Sequence, residues 1–319
     1  MGSGKGRVAT ATRPFRVRLP KLSPQFVIAV APVIFVLLWS TGFIIARYGT
    51  RDAGPMTFLF LRTLAASLIL WLVAIFTGAP RISSGQALWA GISGLGMHAV
   101  YLAGVFIAAD LGLPSGLSAL IAGLHPVVTS LLAVVLLKEL LQKRQWLGVA
   151  LGVGGVSVVV IERMGASDIQ VRAAALVAMG IAVFGMSAGT LVQRARGKSM
   201  PLLRGTAVQF AVSAVALGVG SLAFEGFEIE FTAQLWWSLL WSILVLSLAA
   251  ILIMLWLLQR QAAVKVSSLF FLTPALSTIE GSILFGERLG ALSLVGLAVA
   301  LVGVALATRV KEPEITQPV

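Results

Sequence analysis

The sequence predicts an all-α integral membrane protein: ten transmembrane helices arranged as two inverted-topology five-helix repeats. Three observations lead there. The chain of 319 residues is 58% hydrophobic and 11% charged, with mean hydropathy +0.99, whereas a soluble domain carries about 25% charged residues. Ten apolar runs, each near the ~20 residues that cross a hydrocarbon core, follow one another with short connections. Residues 124–156 also reappear, without a gap, as residues 272–304.

The elements follow in order. A basic tail, 1–26, has no apolar core of its own, so the first span reads as an uncleaved signal. Spans are expected at 27–47, 57–77, 87–109, 114–137 and 145–161, then at 173–193, 203–224, 236–258, 266–285 and 291–308. An outside linker, 162–172, separates the two sets of five, and a short tail, 309–319, closes the chain. The 33 glycines lie inside the apolar runs, where membrane helices use them for close approach, and the 12 prolines are too few for a low-complexity chain.

Charge orients the spans. With the N-terminus in the cytoplasm, 18 of the 24 Lys and Arg residues fall in cytoplasmic segments and five in outside loops, and Arg62 lies within a span. That split is a positive-inside signal with both termini cytoplasmic, and it accounts for the net charge of +12 without nucleic acid. Trp89 and Trp146 begin spans at the inner face, Trp256 ends one there, and Trp236, Trp237 and Trp241 begin one at the outer face, as interfacial belts do. Trp39 lies in mid-span, away from both belts.

Composition also excludes chemistry. With no cysteine there is no disulfide, thiolate metal site or cysteine nucleophile. The two histidines stand 27 positions apart, so no helical zinc motif forms. No phosphate-binding G-x-x-x-x-G-K-[ST] loop occurs, so this chain does not use ATP, and no cofactor is implied.

The repeat carries most of the functional argument. Across the constant shift of 148, Pro126 meets Pro274, Glu139 meets Glu287, Gly148 meets Gly296 and Gly155 meets Gly303. Five spans separate the copies. An odd number places the two copies in opposite orientation, the arrangement of secondary transporters that bind substrate at the midplane between halves. Proline, a helical stretch, Glu-x-Leu and a glycine-studded span, present twice, resemble the EamA-type branch of the drug/metabolite transporter superfamily. WSTGF resembles that family's first span, FLFLRTLAASLIL its second and LSALIAGLHPVVTSLLAVVLLKE its fourth. The resemblance covers residues 27–308 and implies a ten-helix exporter of small metabolites such as amino acids, or of drugs.

Candidate residues are polar or aromatic groups in mid-span. Glu280 shares a helix face with Ser277 and Thr273. A charge there costs roughly 2.5–3.5 kcal/mol on an insertion scale, so Glu280 either faces a cavity, coupling protons or pairing with a substrate amine, or is a protonated side chain hydrogen-bonded to neighbouring backbone near the outer mouth. Arg62 either snorkels outward or binds a substrate carboxylate bidentately. Together, Arg62 and Glu280 would suit a zwitterion. His98 and Tyr101 share a face of the third span, and His125 precedes Pro126 in the fourth; such histidines either shuttle protons or satisfy a carbonyl. Trp39, Phe43, Met186, Gln209 and Phe210 are further cavity candidates, or packing. Pro126 and Pro274 are expected to free a carbonyl each, kink their helices and serve as hinges. Glu139 and Glu287 read as helix-end caps.

The expected function is a secondary transporter in the inner (plasma) membrane, exporting metabolites by alternating access. Its partners are a small-molecule substrate, the lipid bilayer and protons as candidate coupling ion, with the chain a monomer or weak dimer. A multidrug/cation exporter is the alternative. A channel would show a filter loop or ring of like charge, and an enzyme a convergent catalytic set; neither pattern is present.

Overall fold

The computed structural model describes residues 24–165, 172–197, 199–251, 253, 272–287 and 290–308, and the structural statements below concern these. Every regular element among them is helical; an isolated antiparallel bridge joins Ala53 to Ile229. The helices are α1 (Pro24–Gly49), α2 (Pro55–Phe76), α3 (Ser84–Asp110), α4 (Ser115–Ala122), α5 (His125–Leu137) and α6 (Lys143–Gly165). They continue with α7 (Ala173–Arg196), α8 (Leu202–Phe224), α9 (Ala233–Ala249), α10 (Thr273–Phe285) and α11 (Ala291–Thr308).

Eight helical stretches, counting α4 and α5 as one, are long and apolar enough to cross a membrane. A shorter apolar helix, α9, and the 13-residue α10 fall where the eighth and ninth spans are expected. The far end of the expected 236–258 span, the start of the 266–285 span, Trp256, both tails and most of the linker lie outside the described residues. Leu72, Ile75, Val135, Leu136, Val219 and Phe224 are exposed on the helix surfaces, as side chains facing lipid are.

Two features depart from uniform helices. The fourth span breaks at Gly123–Leu124, and Pro126 is the second residue of the new helix α5. Pro274 is likewise the second residue of α10. The expectation that Pro126 frees a carbonyl inside a continuous helix is therefore corrected: in a first turn the missing N–H has no intrahelical acceptor to lose; for Pro274 the residues before Leu272 lie outside the described ones. The second feature is a wider π-helical turn at Leu95–Val100 in α3 and another at Trp241–Ala249 in α9. Such turns rotate the side chains that follow them and often lie at functional sites.

Small residues let the helices meet. α6 and α11 run antiparallel, with Gly148 against Gly303 and Gly155 against Gly296; a methyl group added at Gly296 would lie 2.7 Å from the Gly155 carbonyl oxygen. α2 and α8 are also antiparallel: Thr57 meets Ser221 at 2.5 Å near one end, and Ser67 donates to the Ala207 carbonyl at 2.9 Å toward the other. Gly96 and Gly104 of α3 seat against Gly185 and Ala182 of α7. Hydrogen bonds of this kind and backbone close approach replace the hydrophobic driving force that lipid removes.

Candidate functional site

α1, α2, α3, α7 and α8, with α4, α5, α9, α10 and α11, enclose a central cavity of about 490 Å³. Its wall includes Trp39, Phe43, Arg62, His98 and Tyr101. It also includes His125, Pro126, Met186, Gln209, Phe210 and Pro274. That volume lies in the range of small-molecule sites, which are mostly apolar with a few placed polar groups.

Those polar groups form two clusters. In one, Gln209 Nε2 donates to Ser93 Oγ (3.0 Å) and Gln193 Oε1 (2.9 Å), leaving Gln209 Oε1 facing His98 Nε2 at 3.4 Å. With Gln209 Oε1 as acceptor, His98 donates through Nε2, and its ring lies tilted by 35° against Phe210 at 4.5 Å between centroids. In the other, Arg62 is 7% exposed and its Nε donates to Ser247 Oγ at 3.0 Å. Ser247 in turn donates to the Ser242 carbonyl at 3.0 Å, within the π-turn of α9. Arg62 thus does not snorkel outward. His125 Nδ1 contacts the Ala122 carbonyl at 3.2 Å, across the break between α4 and α5.

Ser277 and Glu280 are not in the cavity wall, which corrects the expectation for both. Their face of α10 packs on α1, and of the shared stripe Thr273 alone reaches the cavity. Ser277 Oγ donates to the Ser40 carbonyl at 3.1 Å, and Ser40 Oγ stands 2.5 Å from Glu280 Oε1. The same hydroxyl lies 2.9 Å from the Leu37 carbonyl. Ser40 is the donor in both contacts, its single O–H shared between the carboxylate and the carbonyl. Glu280 Oε2 is buried without a partner among the described residues. The zwitterion site suggested by Arg62 and Glu280 does not form, because the two residues lie on different surfaces of the bundle.

An ion pair lies at each end of the bundle. Arg47, near the end of α1, donates to Glu287 at 2.6 Å, and its guanidinium lies 4.1 Å from the Phe285 ring centroid. Glu287 also accepts the N–H of Ser115 (2.9 Å) and Gly116 (3.3 Å), capping the first turn of α4. Its side chain is 8% exposed. At the opposite end, Arg194 in the last turn of α7 donates to Glu139 at 2.7 Å, and these side chains are 59% and 43% exposed. Glu139 is thus an exposed ion-pair partner and not the cap expected. The cavity wall reaches Gln193 and Thr206, beside the Arg194 pair, but toward the other end it includes Phe43 and Phe106, below the Arg47 pair.

Sequence reasoning missed Gln193, Ser93, Ser40 and the two arginines of these pairs. Gln193 was legible as a polar residue in the last turn of a span; the arginines counted only as loop charge. Among the described residues no cluster of three His, Asp or Glu side chains suits a metal ion.

The sequence profile of the EamA-like transporter family matches residues 26–161 and again residues 173–309. A Bacillus subtilis protein, "Uncharacterized transporter YvbV", is 27% identical over 91% of this chain and 92% of its own length. A Salmonella typhimurium protein named "Probable amino-acid metabolite efflux pump" is 24% identical over 85% of this chain and 91% of its own. The Escherichia coli "Uncharacterized inner membrane transporter YedA" is 24% identical over 92% of each chain. A solved crystal structure superimposes with TM-score 0.63 at 19% identity, covering 88% of this chain and 96% of that one, which supports the fold alone.

Proposed function

Because the chain belongs to the EamA-like transporter family, we propose that it exports small metabolites such as amino acids by alternating access between two inverted five-helix repeats, 27–161 and 173–308. The observation that carries this reading is a cavity walled by helices of both halves, with an Arg–Glu pair at either end, one buried and one exposed.

Several relations support inversion. The family profile matches twice, and the corresponding helices α6 and α11 pack antiparallel, as do α2 and α8. α5 and α10 are both 13 residues long, carry proline second and end in a left-handed residue, Lys138 (φ 55°) and Gly286 (φ 68°). The ion pairs themselves correspond: Glu139 and Glu287 are 148 positions apart, Arg47 and Arg194 are 147 apart. Each pair links the first helix of one half to the turn between the last two spans of the other. Both pairs are made here, and releasing one or the other would free opposite ends of the bundle, as alternating access needs.

The positive-inside bias puts the Arg47 pair outside, so the state described here is open toward the cytoplasm, with both tails in the cytoplasm and 162–172 outside. That is the loading state of an exporter in the inner membrane. Glu280 is the candidate for proton coupling: its carboxyl sits on the α1–α10 interface that ends in the outer pair, so its protonation and the seal share one interface. The Gly123–Leu124 break before Pro126 supports a hinge at that point. The bundle needs no second copy to complete the cavity, in keeping with a monomer or weak dimer.

Counterflow in proteoliposomes tests the reading. Labelled amino acids should enter vesicles preloaded with the same unlabelled compound, and no ion current should accompany them. Absence of exchange for every amino acid, or a conductance in planar bilayers, would favour another substrate family or a channel.

A further inference from the structure

We propose that Arg62 is the anion subsite of the central cavity and that the transported molecules are organic carboxylates with an apolar body, not organic cations. The proposal rests on the transport reading and names its substrate class.

Three observations carry it. Arg62 is nine-tenths buried, lines the cavity and uses only Nε within the protein, on Ser247. Its two terminal nitrogens have no acceptor among the described residues. A guanidinium held through Nε presents the paired N–H groups of its outer edge, the geometry that accepts a carboxylate bidentately. Ser247 is itself tied to the Ser242 carbonyl, so the fork is held in place before a ligand arrives.

Second, among the described residues no Asp or Glu lines the cavity. Of the acids near cavity residues in the chain, Asp110 is exposed at the end of α3, Glu225 holds the first turn of α2, Glu280 is on Ser40 and Glu287 on Arg47. Residues 254–271 contain no acidic residue, so that stretch cannot supply one either. A buried cation without a counter-ion is costly, and a substrate carboxylate would offset that cost. An ammonium group entering the same space would find a like charge and no acid.

Third, the rest of the wall is mostly aromatic and apolar, with neutral polar groups such as Gln209 and Thr206 among it. Trp39, Phe43, Tyr101 and Phe210 line the cavity that Arg62 shares. The site therefore recognises one charge and fits a hydrophobic remainder. An amino acid satisfies Arg62 with its carboxylate, but its ammonium group meets no acid to offset its desolvation, so it should bind more weakly than the acid lacking that group.

The test uses three compounds with one phenyl body: 3-phenylpropanoate, phenylalanine and 2-phenylethylamine. Binding to the purified full-length protein in detergent is measured by thermal shift and tryptophan quenching. The expected order is 3-phenylpropanoate, then phenylalanine, with 2-phenylethylamine weakest by at least about tenfold, the scale of one charge-assisted pair. Arg62→Gln should remove the preference for the carboxylate while leaving the amine unchanged or tighter; Arg62→Lys should restore part of it. Ser247→Ala, which leaves the charge but frees Nε, should weaken the carboxylate less than Arg62→Gln does. The order in the unmodified protein is informative even if Arg62→Gln fails to fold. Equal or tighter binding of the amine, no binding of the acid, or unchanged acid binding in a folded Arg62→Gln protein would overturn the proposal. Counterflow separates it from the transport reading. Arg62-dependent binding without exchange would leave the subsite and remove the transporter, and exchange of the amine alone would do the reverse.

Discussion

Arg47 and Glu287, 240 residues apart, meet at 2.6 Å, and the same carboxylate caps the first turn of α4 through Ser115 and Gly116. One acid thus joins α1, α4 and the turn after α10. Its counterpart Glu139 meets Arg194 alone among the described residues and stays exposed. The two pairs are equivalent in sequence and unequal in burial, so their contributions to stability should differ.

Glu287→Ala removes a buried acceptor and leaves two helix-terminal N–H groups and Arg47 without it. Unfolding in detergent should show a loss of about 3 kcal/mol. Glu139→Ala should cost less than about 1 kcal/mol, since an exposed pair contributes little. Equal losses would contradict the asymmetry.

Opening at one end predicts unequal access. The chain has no cysteine, so single introduced thiols report cleanly. Thr206→Cys, at the Arg194 end, should react with an aqueous maleimide several-fold faster than Ala119→Cys, at the other end. Adding Arg47→Ala should raise the rate at position 119. No effect of Arg47→Ala would argue against a seal.

Glu280 is expected to act through its proton. Glu280→Gln keeps the size and can donate to Ser40, so folding should survive, while the pH dependence of transport flattens and counterflow persists. Ser40→Ala removes the partner and should lower transport at every pH. A pH profile unchanged by Glu280→Gln would make the residue structural.

The contact of α6 with α11 depends on glycine. Gly155→Leu places a side chain where Gly296 and Ala300 backbone atoms lie, and overpacking of this kind costs about 1–3 kcal/mol or more. Gly154→Leu, beside it with open space, should be neutral. Comparing the two melts checks the assignment.

Much of the architecture was legible because it is local. Apolar length marks spans, the 148-residue shift exposes the repeat, and basic loops suggest orientation; each depends only on neighbours in the chain. The expense of a charge in mid-membrane likewise singled out Arg62 and Glu280. Which surface each faces was decided by tertiary structure. A helix turns by about 100° per residue, so spacing defines a stripe but not the neighbour that the stripe meets. Thr273 reached the cavity while Ser277 and Glu280 met α1. The π-turns in α3 and α9 shifted register without any sequence mark, and in α9 the turn holds the Ser242 carbonyl that fixes Ser247 beneath Arg62. The Arg47–Glu287 pair spans 240 residues, and only folding brings such distant partners together. Composition and periodicity determined which stretches are long and apolar enough to cross a membrane; helix rotation and long-range pairing decided which polar groups line the cavity and which pair at the ends of the bundle.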